Sequence, residues 1–168
     1  MQSYKVTLFG HRDLYRYNRI EEKLYLLLRD LICEKAYLEI YIGRNGDFDL
    51  LVRSVVKRLQ DNLGNERSEM ILVLPYREKN MEFYETHYDS VIIPSCLCNV
   101  HPKGAIVKRN RWMVEQCDLL ICYVECENGG AFSAMKYAKK LQKKIINLAV
   151  DKEDDWKKLL ESKDTRHF

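Results

Sequence analysis

No stretch of the 168-residue sequence approaches the roughly 20 consecutive apolar residues that a membrane-spanning helix needs, so no membrane partner is expected. The opening Met1-Gln2-Ser3-Tyr4-Lys5 passes straight into a strand pattern, which predicts no secretory leader and a cytoplasmic location. There is no G-x-G-x-x-G, so the standard dinucleotide fingerprint is missing. A large excess of either charge is missing, since 28 basic and 25 acidic side chains leave a net charge of +3 and a pI near 8.4. That excess suits a phosphate-bearing ligand but falls short of a protein that coats nucleic acid, which argues against nucleic acid as a partner. A complete zinc set is also absent. Cys96, Cys98 and His101, with Cys117 further on, fit structural zinc spacing poorly, and no second pair closes them. No metal and no cofactor are therefore expected. Of the remaining thiols, Cys33 and Cys122, like Cys117, sit in or beside apolar segments and read as small buried hydrophobes. Internal repeats, linkers, low-complexity segments and strand-hairpin signals are missing too, which leaves one domain over 1–168.

What is present is alternation. Lys5–Phe9 reads as a strand ended by Gly10-His11-Arg12, and Ile20–Glu34 as a helix with Leu24, Leu27, Leu28, Leu31 and Ile32 at helical spacing. Leu38–Ile42 is a second strand, broken by Gly43-Arg44-Asn45-Gly46. A helix follows from Asp47, its expected N-cap, to about Leu59 or Asn62, with Leu50, Leu51, Val55, Val56 and Leu59 inward. Met70–Leu74 is a third strand, stopped by Pro75-Tyr76. From Arg77 to Ala105 the periodicity weakens, with a short helix over Lys79–Tyr84 and a short strand over Val91–Ile93. Ile106–Cys117 reads as a helix, Asp118–Val124 as a strand, Ala131–Leu141 as a helix, Lys144–Leu148 as a strand and Asp154–Leu160 as a last helix, with a frayed tail over 162–168. This order predicts an α/β, Rossmann-like three-layer fold: a mainly parallel sheet of about five strands with helices on both faces.

In such a fold the strand-ending turns share the carboxyl edge, where ligands bind. Arg12, Arg44 and Arg109 are placed to grip phosphate in a planar, bidentate way. Asn45, Asp49 and Asn110 suit ribose hydroxyls or loop support, and Asp49 equally suits the first turn of its helix. Gly129-Gly130 with Ser133 would offer backbone amides and a hydroxyl to an anion at a helix start. His11 could act as a base, although a lone histidine is more often a hydrogen-bonding residue. Arg109 and Arg111 also read as a solvated basic helix end, and Lys136, Lys139, Lys140, Lys143 and Lys144 as a wet helix face and flank.

Several of these segments resemble one family. Phe9-Gly10-His11-Arg12 resembles the "TGHR" of the DUF1273 (YpsA-like) proteins of the SLOG superfamily, and Gly43 to Asp49 their "GGAxGxD" turn. Arg109-Asn110-x-x-Met113-Val114-x-x-Cys117-Asp118 is similar to "RNxxMVxxSD", and Gly129-Gly130 with Tyr137-Ala138 to "GGT…YA". The resemblance implies a bacterial-type domain that binds a nucleotide or nucleotide-derived signal such as ADP-ribose. It also implies a tendency to form homo-oligomers. Taken with the turns at the carboxyl edge, the candidate ligand positions are Gly10, His11, Arg12, Gly43, Arg44, Asn45, Gly46, Asp49, Pro75, Tyr76, Arg109, Asn110, Gly129, Gly130 and Ser133. Relatives include LOG or "lysine decarboxylase-like" phosphoribohydrolases and the DNA-processing DprA proteins. Arg109 matches the arginine of the hydrolases by position. Their "PGGxGTxxE" departs here, because Lys136 stands at the glutamate position and cannot do a carboxylate's work. Hydrolysis, as an alternative, would need Asp49, Glu125 or Glu127 beside Arg109. A DprA-like single-strand-binding role is the third reading.

Overall fold

A computed structural model describes residues 2–44 and 46–162; Asn45 and the tail beyond Ser162 lie outside the described residues. The elements follow in strict alternation for the first half: β1 (Tyr4–Gly10), α1 (Tyr17–Glu34), β2 (Leu38–Ile42), α2 (Asp47–Leu63) and β3 (Ser68–Val73). After these come α3 (Met81–His87), β4 (Ser90–Ile92), a single 3-10 turn (Ser95–Leu97), α4 (Pro102–Gln116), β5 (Leu119–Tyr123), α5 (Gly129–Lys140), β6 (Lys144–Asn147) and α6 (Glu153–Glu161).

The six strands form one sheet in the order β4-β3-β2-β1-β5-β6, and every adjacent pair is parallel. The short strand expected over Val91–Ile93 is β4, on the sheet's outer edge, and it brings the strands among the described residues to six against the expected five or so. Alternate strand residues serve opposite faces, as the two-residue period requires. Val6, Leu8, Ile40, Ile42, Leu72 and Ile121 join α1, α2 and Trp156 of α6 in one core. Phe9, Tyr41, Ile71, Val73, Leu120 and Cys122 join Met113 and Val114 of α4 and the alanines of α5 in the other. The result is the three-layer α/β arrangement. Among the described residues no helix is long and apolar enough to cross a membrane.

The helical period of α1 is reproduced in full, with Leu24, Leu27, Leu28, Leu31 and Ile32 all buried. In α2 one expectation fails. Leu50 is half exposed, and the inward stripe runs instead through Phe48, Leu51, Val52, Val55, Val56 and Leu59. Leu50 lies two residues from Phe48, about 200° around the helix, so both cannot face the sheet. Asp47 is not the N-cap: Gly46 is, at φ 129°, and Asp47 opens the helix proper. Cys33 is exposed, because it follows the buried pair Leu31-Ile32 on the turning face of α1. Cys117 and Cys122 are buried as expected. Lys143 is not part of a wet face: its Nζ donates to the carbonyls of Glu115 and Cys117 at 3.0 and 2.8 Å, satisfying the end of α4.

Candidate functional site

Because all strands run parallel, every strand's carboxyl end opens on the same edge. The chain fills the sheet outward from β1 through β4 on one side, then returns to place β5 and β6 on the other. The turns after β1 and β5 therefore diverge, and this switch point is where an open α/β sheet leaves a crevice. A cleft of about 600 Å³ lies there.

Its β1 wall depends on two glycines. A Cβ on Gly10 would fall 2.1 Å from Phe48 Cγ, so only glycine lets α2 seat Phe48 over the end of β1. A Cβ on Gly46 would meet the Arg12 backbone at 2.8 Å, at a φ that disfavours other residues. The gap this leaves is used: Asp47 N–H donates to Arg12 O at 2.7 Å, and Leu14 N–H donates to Asp47 Oδ2 at 3.2 Å. Those bonds hold the loop carrying His11, Arg12, Asp13 and Tyr15 along the cleft.

The floor is Arg109 of α4. It is only 6% exposed, so it is not a solvated helix end. Its Nη1 donates to Val73 O at 2.7 Å and its Nε to Asn110 Oδ1 at 2.8 Å. Burial lowers its proton affinity, while the charge of Asp49 works the other way. Gly43 keeps room for this guanidinium, since a Cβ there would stand 3.3 Å from Nη1. Arg111, one turn face away, instead lies over the Tyr137 ring at 5.3 Å.

The opposite wall is the β5–α5 connection. His11 Nε2 accepts the Glu125 backbone N–H at 2.9 Å, and the His11 ring meets Tyr123 edge-on at 6.3 Å. Tyr123, hydrogen-bonded to Glu125, has its hydroxyl pushed up to about 12, first by burial and then by that carboxylate. Helix α5 begins at Gly129, and the Asn128 side chain makes no capping bond to it. Its first turn holds no acidic residue, so its leading amides keep their partial positive charge toward the cleft.

Of the residues singled out in the sequence, Gly10, His11, Arg12, Gly43, Asp49, Arg109, Asn110, Glu125, Gly129 and Gly130 line this cleft. Others do not. Arg44 turns to Glu78 at 2.6 Å and to the Tyr84 hydroxyl at 3.2 Å, tying the β2 and β3 loops together. Pro75, Tyr76, Ser133 and Glu127 are not among the lining residues; Ser133 and Glu127 are exposed on the outer side of α5 and its entry loop. Gly46 acts from behind, through Arg12. Phe9, Asp13, Tyr15, Ile106, Cys126 and Asn128 also line the cleft, although no motif or spacing in the sequence marks them for it. An exposed tyrosine between two arginines, Arg12 and Arg16, was the one signal that could have drawn notice. Among the described residues, no group of three or more histidine, cysteine or acidic side chains gathers as a metal site.

No protein-family model matches the chain, and no curated protein sequence matches it. Solved structures do. DNA processing protein A (DprA) from Helicobacter pylori, solved for its single-stranded DNA binding mode, is 19% identical, with a TM-score of 0.57 over 94% of this chain and 72% of that one. DprA from Streptococcus pneumoniae is 16% identical, with a TM-score of 0.62 over 84% of this chain and 49% of that one. The structural-genomics protein TM1055 is 13% identical, with a TM-score of 0.52 over 84% of this chain and 72% of that one. At these identities the shared property is the Rossmann-like fold. The chain spans about half the length of the Streptococcus protein. The expectation that nucleic acid is not a partner fails on these likenesses. The Helicobacter protein binds single-stranded DNA on a fold this chain shares, so a net charge of only +3 does not set that partner aside.

Proposed function

We propose that the cleft binds the phosphate of a nucleotide or nucleotide-derived ligand, in a domain of the SLOG superfamily. The observation that carries this reading is the uncapped, acid-free start of α5 opening on the same cleft as Arg12, Asn110 and the buried Arg109. The YpsA-like motifs and the fold shared with the DprA proteins support it. Arg109 serves as a floor that orients Asn110 and the Val73 strand end; Arg12, exposed on the rim, is the arginine free to close on a phosphate. Calorimetry with AMP, ADP, NAD and ADP-ribose tests the reading. Binding that Arg12→Ala weakens by about tenfold supports it. Absence of binding by every member of the panel sinks it. Chromatography of the same mixtures for released base decides whether Asp49 or Glu125 gives a hydrolase, despite Lys136.

A second reading is single-stranded DNA. It is favoured by the two DprA likenesses and by the loop Arg12-Asp13-Leu14-Tyr15-Arg16, which leads into Tyr17, Asn18 and Arg19 at the start of α1 and whose Tyr15 is 89% exposed beside exposed arginines. Arginines interleaved with exposed aromatics suit a backbone and its unstacked bases. It predicts oligothymidine binding that weakens steeply with salt and that Tyr15→Ala weakens at every salt concentration, through the loss of a stacked base. A titration that is flat at low salt removes it.

A further inference from the structure

Three arginines of this chain, Arg29, Arg44 and Arg58, each reach a carboxylate, on Asp30, Glu78 and Glu21 in turn. Arg16 and Arg19 do not. Both are exposed, and among the described residues neither side chain has an ion pair or a hydrogen bond. With Ile20 and Lys23 they follow the i, i+3, i+4, i+7 spacing of one helix face, and all four line a small cavity of about 70 Å³. Its opposite wall is Tyr123 and Glu125 at the end of β5 and Leu148 after β6. Glu125 also lines the cleft, so the two spaces meet at that residue. Like charges at this spacing repel one another, and the proton affinity of Lys23 is lowered first by burial and then by Arg19. The neighbouring carboxylates are engaged elsewhere: Glu125 accepts the Tyr123 hydroxyl, and Asp151 Oδ2 accepts the Asn147 N–H at 2.7 Å. Lys23 Nζ donates to the carbonyls of Leu148 and Asp151 at 2.9 and 3.2 Å, which fixes the ammonium at the cavity wall and leaves one N–H over.

We propose that Arg16, Arg19 and Lys23 bind a phosphate group in this cavity, at a site separate from the cleft. The two guanidiniums supply planar forks that match phosphate oxygens, and the remaining Lys23 N–H supplies a further contact. Glu125 is the one carboxylate lining the cavity, against three cations, so the local charge stays positive. A volume of about 70 Å³ suits a single small anion, far below the roughly 300 Å³ or more of a pocket that encloses a whole drug-sized ligand. The phosphate can come from the free anion or from a nucleotide chain whose neighbouring phosphate lies in the cleft, across Glu125. The inference does not rest on the nucleotide reading of the cleft, and it gives the single-strand reading a definite place for one backbone phosphate.

The test titrates the full chain with inorganic phosphate, at constant ionic strength held with chloride, and follows the Arg16 and Arg19 Nε–H signals and the Gly129 and Gly130 amides by NMR. Saturating shifts at both arginines are expected. Arg19→Gln, read at Arg16, should weaken the binding at least about tenfold, while Arg77→Gln, which removes the same charge from an exposed position outside this cavity, should leave it unchanged. Shifts confined to Gly129 and Gly130, arginine shifts that never saturate, or equal losses in the two variants each overturn the inference. Shifts at the arginines with none at the two glycines uphold it and count against a phosphate at α5. Repeating the titration with the dinucleotide pTpT separates the sources. Arginines and glycines that saturate together assign two phosphates of one chain; arginines that respond to inorganic phosphate and not to pTpT assign the free anion.

Discussion

Two helices start at the same edge of the sheet, on the two sides of the cleft, and they end their first turns in opposite ways. At α2 the leading amide is already taken, since Asp47 N–H donates to Arg12 O, and two carboxylates, Asp47 and Asp49, sit in the first turn. The helix's partial positive charge is met from within the protein. At α5 the Asn128 side chain makes no cap and the first turn carries no acid. The same backbone physics thus produces a structural joint on one side and an uncapped, acid-free helix start on the other. What separates them is the placement of a few carboxylates, not the fold.

The largest expected effect comes from breaking the joint. Gly10→Val would force a side chain into the space of Phe48 and move α2, lowering unfolding free energy by about 3 kcal/mol in urea titrations. Next, making α5 resemble α2 should close the site. Gly130→Asp places a carboxylate in the first turn of α5, where a Cβ makes only ordinary contact with Asn110 Nδ2 at 3.7 Å. The chain should stay folded while ADP affinity falls at least about tenfold by calorimetry. Unchanged affinity would mean that the phosphate does not sit at α5. Asp47→Ala sharpens the contrast from the other side. It removes the bond to Leu14 N–H and one carboxylate from α2, costing about 1 kcal/mol of stability. Asp47 does not line the cleft, but its bond to Leu14 N–H holds the Arg12 loop there, so ADP affinity should fall by only about threefold in calorimetry.

The smallest effect appears only in alkali. Tyr123 is raised from 10.0 to about 12, and Cys117 and Cys122 from 9.0 to about 12, all chiefly by burial. Each is a neutral acid that the folded state protects from ionising. Their contribution is complete below the unfolded values and is lost as pH rises from about 9 towards 12. Thermal unfolding followed across that window should show stability falling on the β5 side, and Cys122→Ala should flatten the fall.

The periodic parts of the molecule are legible in the sequence alone. The stripe of α1 and the apolar run of β5 are each dictated by one local repeat, so the residues expected inside are inside. Leu50 shows where that reading weakens. When leucines crowd a helix, period alone does not choose the stripe, and Phe48 took the place because Gly10 left it room. The site was legible as a set of turns but not as a set of roles. Arg44 and Arg109 looked alike as phosphate arginines. One pairs with Glu78, 34 positions on; the other is buried and donates to Val73, 36 positions back. Arg16 and Arg19 share a cavity with Tyr123 and Glu125 from the far half of the chain, and no spacing rule links them.

The sequence by itself determined the alternation of strands and helices, the parallel sheet, the core faces of the regular elements, and the edge on which its glycine turns gather. Those follow from periods of two and 3.6 residues and from where the chain can turn. Only the tertiary structure decided which arginine became the floor, which helix start was neutralised and which stayed open, and which arginines came to share a cavity with the end of β5. Each of those depends on a contact between segments distant in sequence, set by how the loops after β1, β2 and β5 pack at the point where the strand order reverses.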